Sequence, residues 1–437
     1  MNREKSISKL RDLMSKQRLV EARNLCLDLT RRYSQDIEIW KARADLHFML
    51  DERDSYGECV QRIIRLSDAI PFHPLLVNMY RVLVYRVLAL NCFKAGRVIE
   101  AINAYEHIIA KVPNDADAHA HTGMCHLLLG DFRRGWPEYE WRLKTNASYF
   151  PAMTMPRWNG QPLHGKTILV KAEQGHGDTM QFVRYVRDVK AQGGTVVLAC
   201  QPALHRLLAG CTGADRVVTE GDPAPYYEVE TMLLSLPGIF QTTLDTIPAD
   251  VPYLRAPQEA GAQATTLISR HAGMLRVGLA WAGGKYTMTA DRSLKLDQFS
   301  DLFGIAGVKF FSLQKDEAAA ELKSLPQDTI VDLDSYLGDF ADTAAAIEEL
   351  DLVISVDTAV AHLAGALAKP VWTMIPFAPD WRWMLNREDS PWYPTMRLFR
   401  QPAPGDWSSV IARIARQLTA MVQGKSAAGP DLNELKK

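Results

Sequence analysis

Asp351-Leu352-Val353-Ile354-Ser355-Val356-Asp357-Thr358-Ala359-Val360-Ala361-His362-Leu363-Ala364-Gly365-Ala366-Leu367 joins an apolar run to an alanine-rich run through two polar residues. Leu352 to Val356 is short and β-branched at its centre, which predicts a strand buried on both faces. Thr358 to Ala368 is small and helix-prone. Asp357 and Thr358 therefore sit where a strand hands over to a helix. A helix N-terminus presents unpaired N–H groups and a partial positive charge, both of which attract phosphate. The small side chains of Ala359 and Ala361 leave room for a ligand close to the backbone. At the carboxyl end of a parallel sheet such a junction is where open α/β folds bind nucleotides. The same residues also fit an ordinary buried strand–helix unit with Asp357 as N-cap. On the local pattern alone both readings stand.

The surroundings of this stretch repeat its pattern. Strands are predicted at Leu275–Ala280, Val308–Leu313, Thr329–Leu333, Val371–Ile375 and Met396–Arg400, with helices near Leu296–Phe303 and Asp342–Glu349. Three loops at strand carboxyl ends, 283–293, 314–316 and 357–362, carry small, polar or cationic residues. Strands of one parallel sheet bring such loops to one edge. Lys285, Arg292 and Lys315 could there neutralise a diphosphate, although each alone reads equally as a solvated surface charge. Asp332-Leu333-Asp334 has the form of a metal-holding pair but straddles a strand end, so it is assigned to chance. Pro379-Asp380-Trp381-Arg382-Trp383 and Ser390-Pro391-Trp392-Tyr393-Pro394 bracket a tryptophan-rich loop. Its rings could stack on a base or sugar, or be buried to cover the cleft, which is the preferred assignment.

Residues 150–265 give a similar alternation. Thr167–Ala172 predicts a strand, Glu173-Gln174-Gly175-His176-Gly177-Asp178-Thr179 a glycine-rich turn, and Met180–Gln192 an amphipathic helix. Further strands are expected at Thr195–Ala199, Arg216–Val218 and Glu228–Leu234. Gly175 and Gly177 can adopt backbone angles closed to other residues. Asp178 and His176 are the general-base candidates on this loop, and Asp178 also suits an N-cap. The proline-punctuated segment Pro248–Pro257 reads as the connection between two such lobes.

The N-terminal third repeats with a period of 34. Gly96 and Gly130, Ala101 and Gly135, Tyr105 and Tyr139, and Tyr85 and His119 are each 34 apart, as are Ala22 and Tyr56. An extra segment around Ser67–Pro74 holds two prolines, which predict a loop or kink. The order of aromatic, small, glycine-turn, alanine, aromatic and proline positions resembles the tetratricopeptide pattern, with about four repeats over residues 1–149. Cys26, Cys59, Cys92 and Cys125, 33 apart, follow from this period and not from a metal site. Such an array either binds a peptide segment on its concave face or serves as a capping or dimerising scaffold.

The composition narrows the class. The chain has 437 residues, 47% hydrophobic and 23% charged, with net charge −1. Length predicts roughly three domains of about 150 residues. The charge balance gives no general nucleic-acid or anionic-membrane binder. No apolar run reaches the ~18 residues of a membrane span. Six cysteines with no apolar leader predict reduced thiols and a cytoplasmic location.

Gly175-His176-Gly177-Asp178 resembles the acceptor-side loop of bacterial heptosyltransferases, and Asp357-Thr358-Ala359 through His362 their donor-side Asp-Thr-Gly loop. Together with Ala172–Gly175, Trp281-Ala282-Gly283, Ser312–Lys315 and Asp380–Trp383, the chain resembles bacterial tetratricopeptide-repeat glycosyltransferases. These include flagellin-modifying enzymes and share a layout similar to O-GlcNAc transferase. The resemblance implies a helical array (1–149) followed by a GT-B fold of two Rossmann-like lobes. These are an acceptor-side lobe (150–265) and a donor-side lobe (266–424); the polar composition of 425–437 separately predicts a disordered tail. The resemblance implies inverting transfer from a nucleotide sugar to a hydroxyl, with no metal or other cofactor. Asp178 would be the general base. Gly283, Lys285, Arg292, Ser293, Gln314, Lys315, Asp357, Thr358, Ala359 and His362 would hold the donor, and Gln174, Gly175 and Gly177 would form the acceptor loop.

Within that set, Thr358 and Ala359 would offer backbone N–H groups to the diphosphate, Arg292 would carry leaving-group charge, and Asp357 would bind sugar hydroxyls. Two departures matter: His176 stands where the family has an apolar residue and could share the base role, and Ala359 replaces glycine. The acceptor implied is a protein, flagellin by analogy, docked on the repeat array, with oligomerisation open. A lipopolysaccharide core sugar as acceptor and a non-catalytic scaffold are the alternatives.

Overall fold

The computed structural model describes residues 3–16, 18–50, 52–68, 74–145, 153–223, 225–284 and 292–425. The chain forms two compact units, Met1–Cys125 and His126–Lys437.

The first unit is helical. Helices Arg3–Ser15, Leu19–Arg32, Ile37–Met49, Arg53–Asp68, Pro74–Lys94 and Val98–Lys111 are followed by Ala116–Leu128, which runs past its end. Successive helices from Arg3–Ser15 to Val98–Lys111 pack as neighbours, as a stacked repeat requires. The repeat's small position Ala22 is fully buried, beside Leu10, Cys26, Leu29, Ile39 and Leu46. Gly96 and Gly130, one period apart, both close their turns with positive φ, +74° and +81°, a conformation glycine adopts without strain. Pro74 opens its helix, where its missing N–H is harmless, and the rest of the expected kink, 69–73, lies outside the described residues. All six cysteines are free and buried. Burial pushes the thiols of Cys26 and Cys125 up to about 12 and that of Cys59 to about 11, so they behave as small apolar groups.

The second unit opens with the helix Phe132–Tyr139, capped by Asp131, and then builds two parallel sheets. The first sheet has β1 (Thr167–Lys171), β2 (Thr195–Cys200), β3 (Arg216–Thr219) and β4 (Val229–Met232) in the order β3-β2-β1-β4. The second has β5 (Leu275–Ala280), β6 (Val308–Ser312), β7 (Ile330–Asp332), β8 (Leu352–Val356), β9 (Val371–Ile375) and β10 (Met396–Arg400). Its order is β10-β9-β8-β5-β6-β7, with every pair parallel. The chain runs outward from β5 through β6 to β7, then returns to the other side of β5 at β8. This reversal makes the carboxyl ends of β5 and β8 the switch point of a doubly wound sheet. β8 is buried at all five residues, as its apolar run requires. The expected helical array followed by two parallel α/β lobes is thus the architecture present.

Local differences have physical causes. The helix after β1 starts at His176 and not Met180. Gly175 is an extended N-cap whose N–H donates to Asp178 Oδ2 at 2.8 Å, so the turn read as loop is already helix. A 3-10 stretch at Val183–Tyr185 then divides this helix from Val186–Lys190. Neither Gly175 nor Gly177 takes the expected unusual backbone; Gln174 does, with φ +62°. The final helix is Trp407–Lys425, and 426–437 lie outside the described residues.

The two lobes are fastened by a buried Arg184. Its guanidinium donates to the carbonyls of Gln181, Pro248 and Trp392 and to the Tyr253 hydroxyl, at 2.8–3.0 Å. Tyr253 in turn donates from its hydroxyl to Met180 O and from its N–H to Ala366 O. Trp381, Trp383 and Trp392 are all at most 1% exposed. Trp381 packs against Trp136, Tyr139 and Phe182, and Trp392 against Phe132 and Phe182. The tryptophan-rich loop is therefore interior packing, not a stacking platform. Among the described residues no helix is long and apolar enough to cross a membrane.

Candidate active site

The loops at the two switch points meet. The helix His176–Phe182 after β1 packs on the helix Ala359–Ala366 after β8. A Cβ on Gly177 would lie 2.7 Å from His362 Cδ2 and 3.4 Å from Ala359 Cα. Gly177 is thus required by this close approach and not by its own backbone angles.

On the second lobe, Thr358 is the extended N-cap of its helix and shares a 3.0 Å hydroxyl contact with Ser355. Asp357 is 4% exposed. Burial, reinforced by nearby Asp380 and opposed by Arg292, pushes its carboxyl up to about 6. Arg292 Nη1 lies 3.7 Å from Asp357 Oδ2. His362 is buried, with Nδ1 2.9 Å from the Tyr393 hydroxyl and its ring stacked on Trp383 at 5.2 Å. Burial, then the charges of Arg382, Arg184 and Arg292, hold it well below the ordinary imidazole range, so it stays neutral.

The raised carboxyl of Asp357 has a stability signature. Its unfolded value is about 3.9, so between about pH 4 and 6 the folded chain keeps a proton that the unfolded chain has lost. Stability from this group is greatest below that window and falls as pH rises through it. Thermal unfolding should therefore show wild type losing ground to Asp357→Asn between pH 4 and 7. Parallel curves would exclude the assignment.

The loops after β5 and β6 are bound to each other. Gln314 Oε1 accepts the N–H groups of Trp281 and Ala282 at 3.0 and 2.9 Å, and Ser293 Oγ accepts that of Gly283 at 3.1 Å. Gln314 and Ser293 thus shape the loop that carries Arg292. Lys315 donates to Asp334 O at 2.8 Å and pairs with its carboxylate at 2.7 Å, directed to the β7 side. Asp332 accepts the Asp334 N–H at 2.9 Å, so this Asp-Leu-Asp pair is engaged in its own turn. Lys285 lies outside the described residues.

On the first lobe, Asp178 has both oxygens engaged: Oδ2 by Gly175 N–H, Oδ1 by the guanidinium of Arg382. His176 is half-buried, 5.1 Å from the Phe340 ring, and desolvation lowers its affinity for a proton although Asp178 opposes this. Gln174 exchanges hydrogen bonds with the Tyr139 hydroxyl, and Glu173 forms a buried ion pair with Arg142 at 2.6 Å. The glycine loop 174–178 is therefore braced from the segment just before the lobe. Arg382, Arg142 and Tyr139 lie outside the predicted site. The Asp380–Trp383 motif marked the first of these as part of an aromatic loop and of the resemblance, with no role of its own.

A buried carboxylate, a cation at its side, a helix N-terminus and an opposed carboxylate suit transfer of a group from a phosphate-bearing donor. Residues 299–376 match glycosyltransferase family 9 (heptosyltransferase). The matched segment spans β6 to β9 and includes Gln314, Lys315 and Asp357 to His362. This segment of the second sheet is thus similar to a glycosyltransferase. It is also similar to Protein FlbA of Caulobacter vibrioides, 29% identical over 324 residues, which are 67% of this chain and 53% of that protein. The chain spans about half the length of this curated relative. Among solved structures, a family 9 glycosyl transferase from Veillonella parvula is 10% identical with TM-score 0.42, covering 63% of this chain and 93% of that one. The ADP-heptose lipopolysaccharide heptosyltransferase II of E. coli is 12% identical with TM-score 0.44, covering 60% and 100%.

Proposed function

We propose that the chain transfers a sugar from a nucleotide-sugar donor to a hydroxyl of a protein, flagellin being the first candidate. The observation that carries this reading is the opposition of Asp178 to the Asp357–His362 loop across the contact of two switch-point helices. The acceptor oxygen attacks the anomeric carbon while the bond from that carbon to the diphosphate oxygen breaks. The hydroxyl proton passes to Asp178, and the nucleoside diphosphate leaves as the anion. Attack from the face opposite the leaving group inverts the anomeric centre. The N-terminus of Ala359–Ala366 and Arg292 stabilise the departing charge, and no metal enters the scheme. Asp357 binds sugar hydroxyls, and the helical array docks the acceptor chain. A cytoplasmic location agrees with a nucleotide-sugar donor.

The heptosyltransferase family match is equally compatible with a second acceptor class, a sugar hydroxyl of a glycan such as a lipopolysaccharide core. The test is a panel of nucleotide sugars against the full chain, read by thermal shift and donor hydrolysis, with protein and glycan acceptors in parallel. At least one donor should raise the melting temperature and turn over, and should do so less in Asp357→Ala. No donor binding excludes transferase function, and transfer only to glycan replaces the protein acceptor.

A further inference from the structure

We infer that Arg382 is a positioning residue that reaches from the donor lobe to set the proposed base Asp178. This rests on the transferase reading above and adds a residue to it. Arg382 is 5% exposed and donates from each of its three guanidinium nitrogens. Nε donates to Gln181 Oε1 at 2.8 Å, Nη1 to Asp380 Oδ1 at 2.9 Å, and Nη2 to Asp178 Oδ1. Asp178 and Gln181 are successive residues on one face of the helix His176–Phe182, three positions apart. Arg382 therefore fixes both the rotamer of Asp178 and the orientation of the helix that bears it. The guanidinium is held flat by Trp381, 4.4 Å from its ring centre, with Phe182 at 5.6 Å.

The charge count matters as much as the geometry. An arginine shared by two carboxylates, Asp178 and Asp380, neutralises only one of them. The trio keeps one negative charge, so a proton from an acceptor hydroxyl has somewhere to go. Both carboxylates are reachable, the Asp178 side chain 20% and that of Asp380 23% exposed, against 6% for Arg382, and Asp178 is the one carried on the first lobe. Arg382 is followed directly by Trp383, on which His362 of the donor loop stacks. The base on one lobe is thereby set by the same short segment that supports the donor loop on the other.

Lysine can supply charge but not the fork that grips Asp178, Asp380 and Gln181 together. Arg382→Lys should lower kcat for transfer about 30-fold with donor KM changed less than threefold. Asp380→Asn, a milder variant, should lower kcat about fivefold. The deciding measurement is a double-mutant cycle on single-turnover rates. In an Asp178→Asn background, Arg382→Lys should change the residual rate less than threefold, because the group it positions is gone. An equal 30-fold loss in both backgrounds, or a donor KM that rises in step with the fall in kcat, overturns the inference and leaves Arg382 as packing. If wild type turns over no nucleotide sugar, the transferase reading falls first and this inference with it.

Discussion

Asp178→Asn should reduce sugar transfer by about 10²–10⁴-fold while leaving donor affinity within about threefold of wild type. The asparagine has nearly the same shape, and its amide oxygen can still accept the Gly175 N–H that caps the helix. What it loses is the ability to take a proton, and positioned proton transfer contributes about that much to a rate. Donor affinity should survive because the groups assigned to the donor, Asp357, Arg292 and the N-terminus of Ala359–Ala366, are on the other lobe. Rapid-quench single turnovers and calorimetric titration of the donor separate the two quantities. His176→Gln belongs beside it. This imidazole is neutral and can accept a proton, but it is tucked against Phe340, so a loss under about tenfold is expected. If the two variants exchange these effects, His176 is the base and Asp178 the cap.

Arg142→Met should destabilise the His126–Lys437 unit by about 3–5 kcal/mol, the cost of stranding one member of a buried ion pair. The Arg142 side chain is 5% exposed and that of Glu173 0%. Arg142 also donates to Ser235 Oγ at 3.0 Å and pairs with Glu140. Methionine fills most of the volume, so the loss isolates the uncompensated carboxylate of Glu173. Arg142→Met with Glu173→Gln should recover at least half, since the glutamine is neutral and still accepts the Leu234 N–H. Urea denaturation followed by tryptophan fluorescence measures both. Additive losses in the double variant would show that packing, not charge, dominates there.

Much of the fold could be read in advance because its strands are apolar runs punctuated by polar loops. Leu275–Ala280, Val371–Ile375 and Met396–Arg400 match their expected bounds to the residue. The opening strand also matches, whereas its helix is the shorter Ala359–Ala366 within the expected 358–368, with Thr358 and not Asp357 at the N-cap. What stayed hidden depended on distance in space. Arg382 and Asp178 are 204 residues apart, and Arg142 and Glu173 are 31 apart. No local pattern joins such partners, and an arginine between two tryptophans reads as cover for a cleft. Lys315 was grouped with the phosphate-facing cations because it follows β6. A chain reversal at β7 supplies Asp334 as its partner. Gly177 was expected to be needed for its backbone freedom, yet what excludes a side chain is His362 from another lobe.

The single guanidinium of Arg184 draws on residues from three places: Gln181 and Arg184's own lobe, the Pro248–Tyr253 passage between lobes, and Trp392 beyond β9. It acts as a fulcrum. Pulling the halves straight apart would strip a buried cation of its carbonyls, whereas a swing about it need not. For anyone exchanging lobes between relatives to obtain hybrid donor and acceptor preferences, the unit of inheritance is therefore not either sheet alone. A donor half must travel with the passage and with the tryptophan carbonyl that Arg184 expects, or the hybrid will assemble without its pivot.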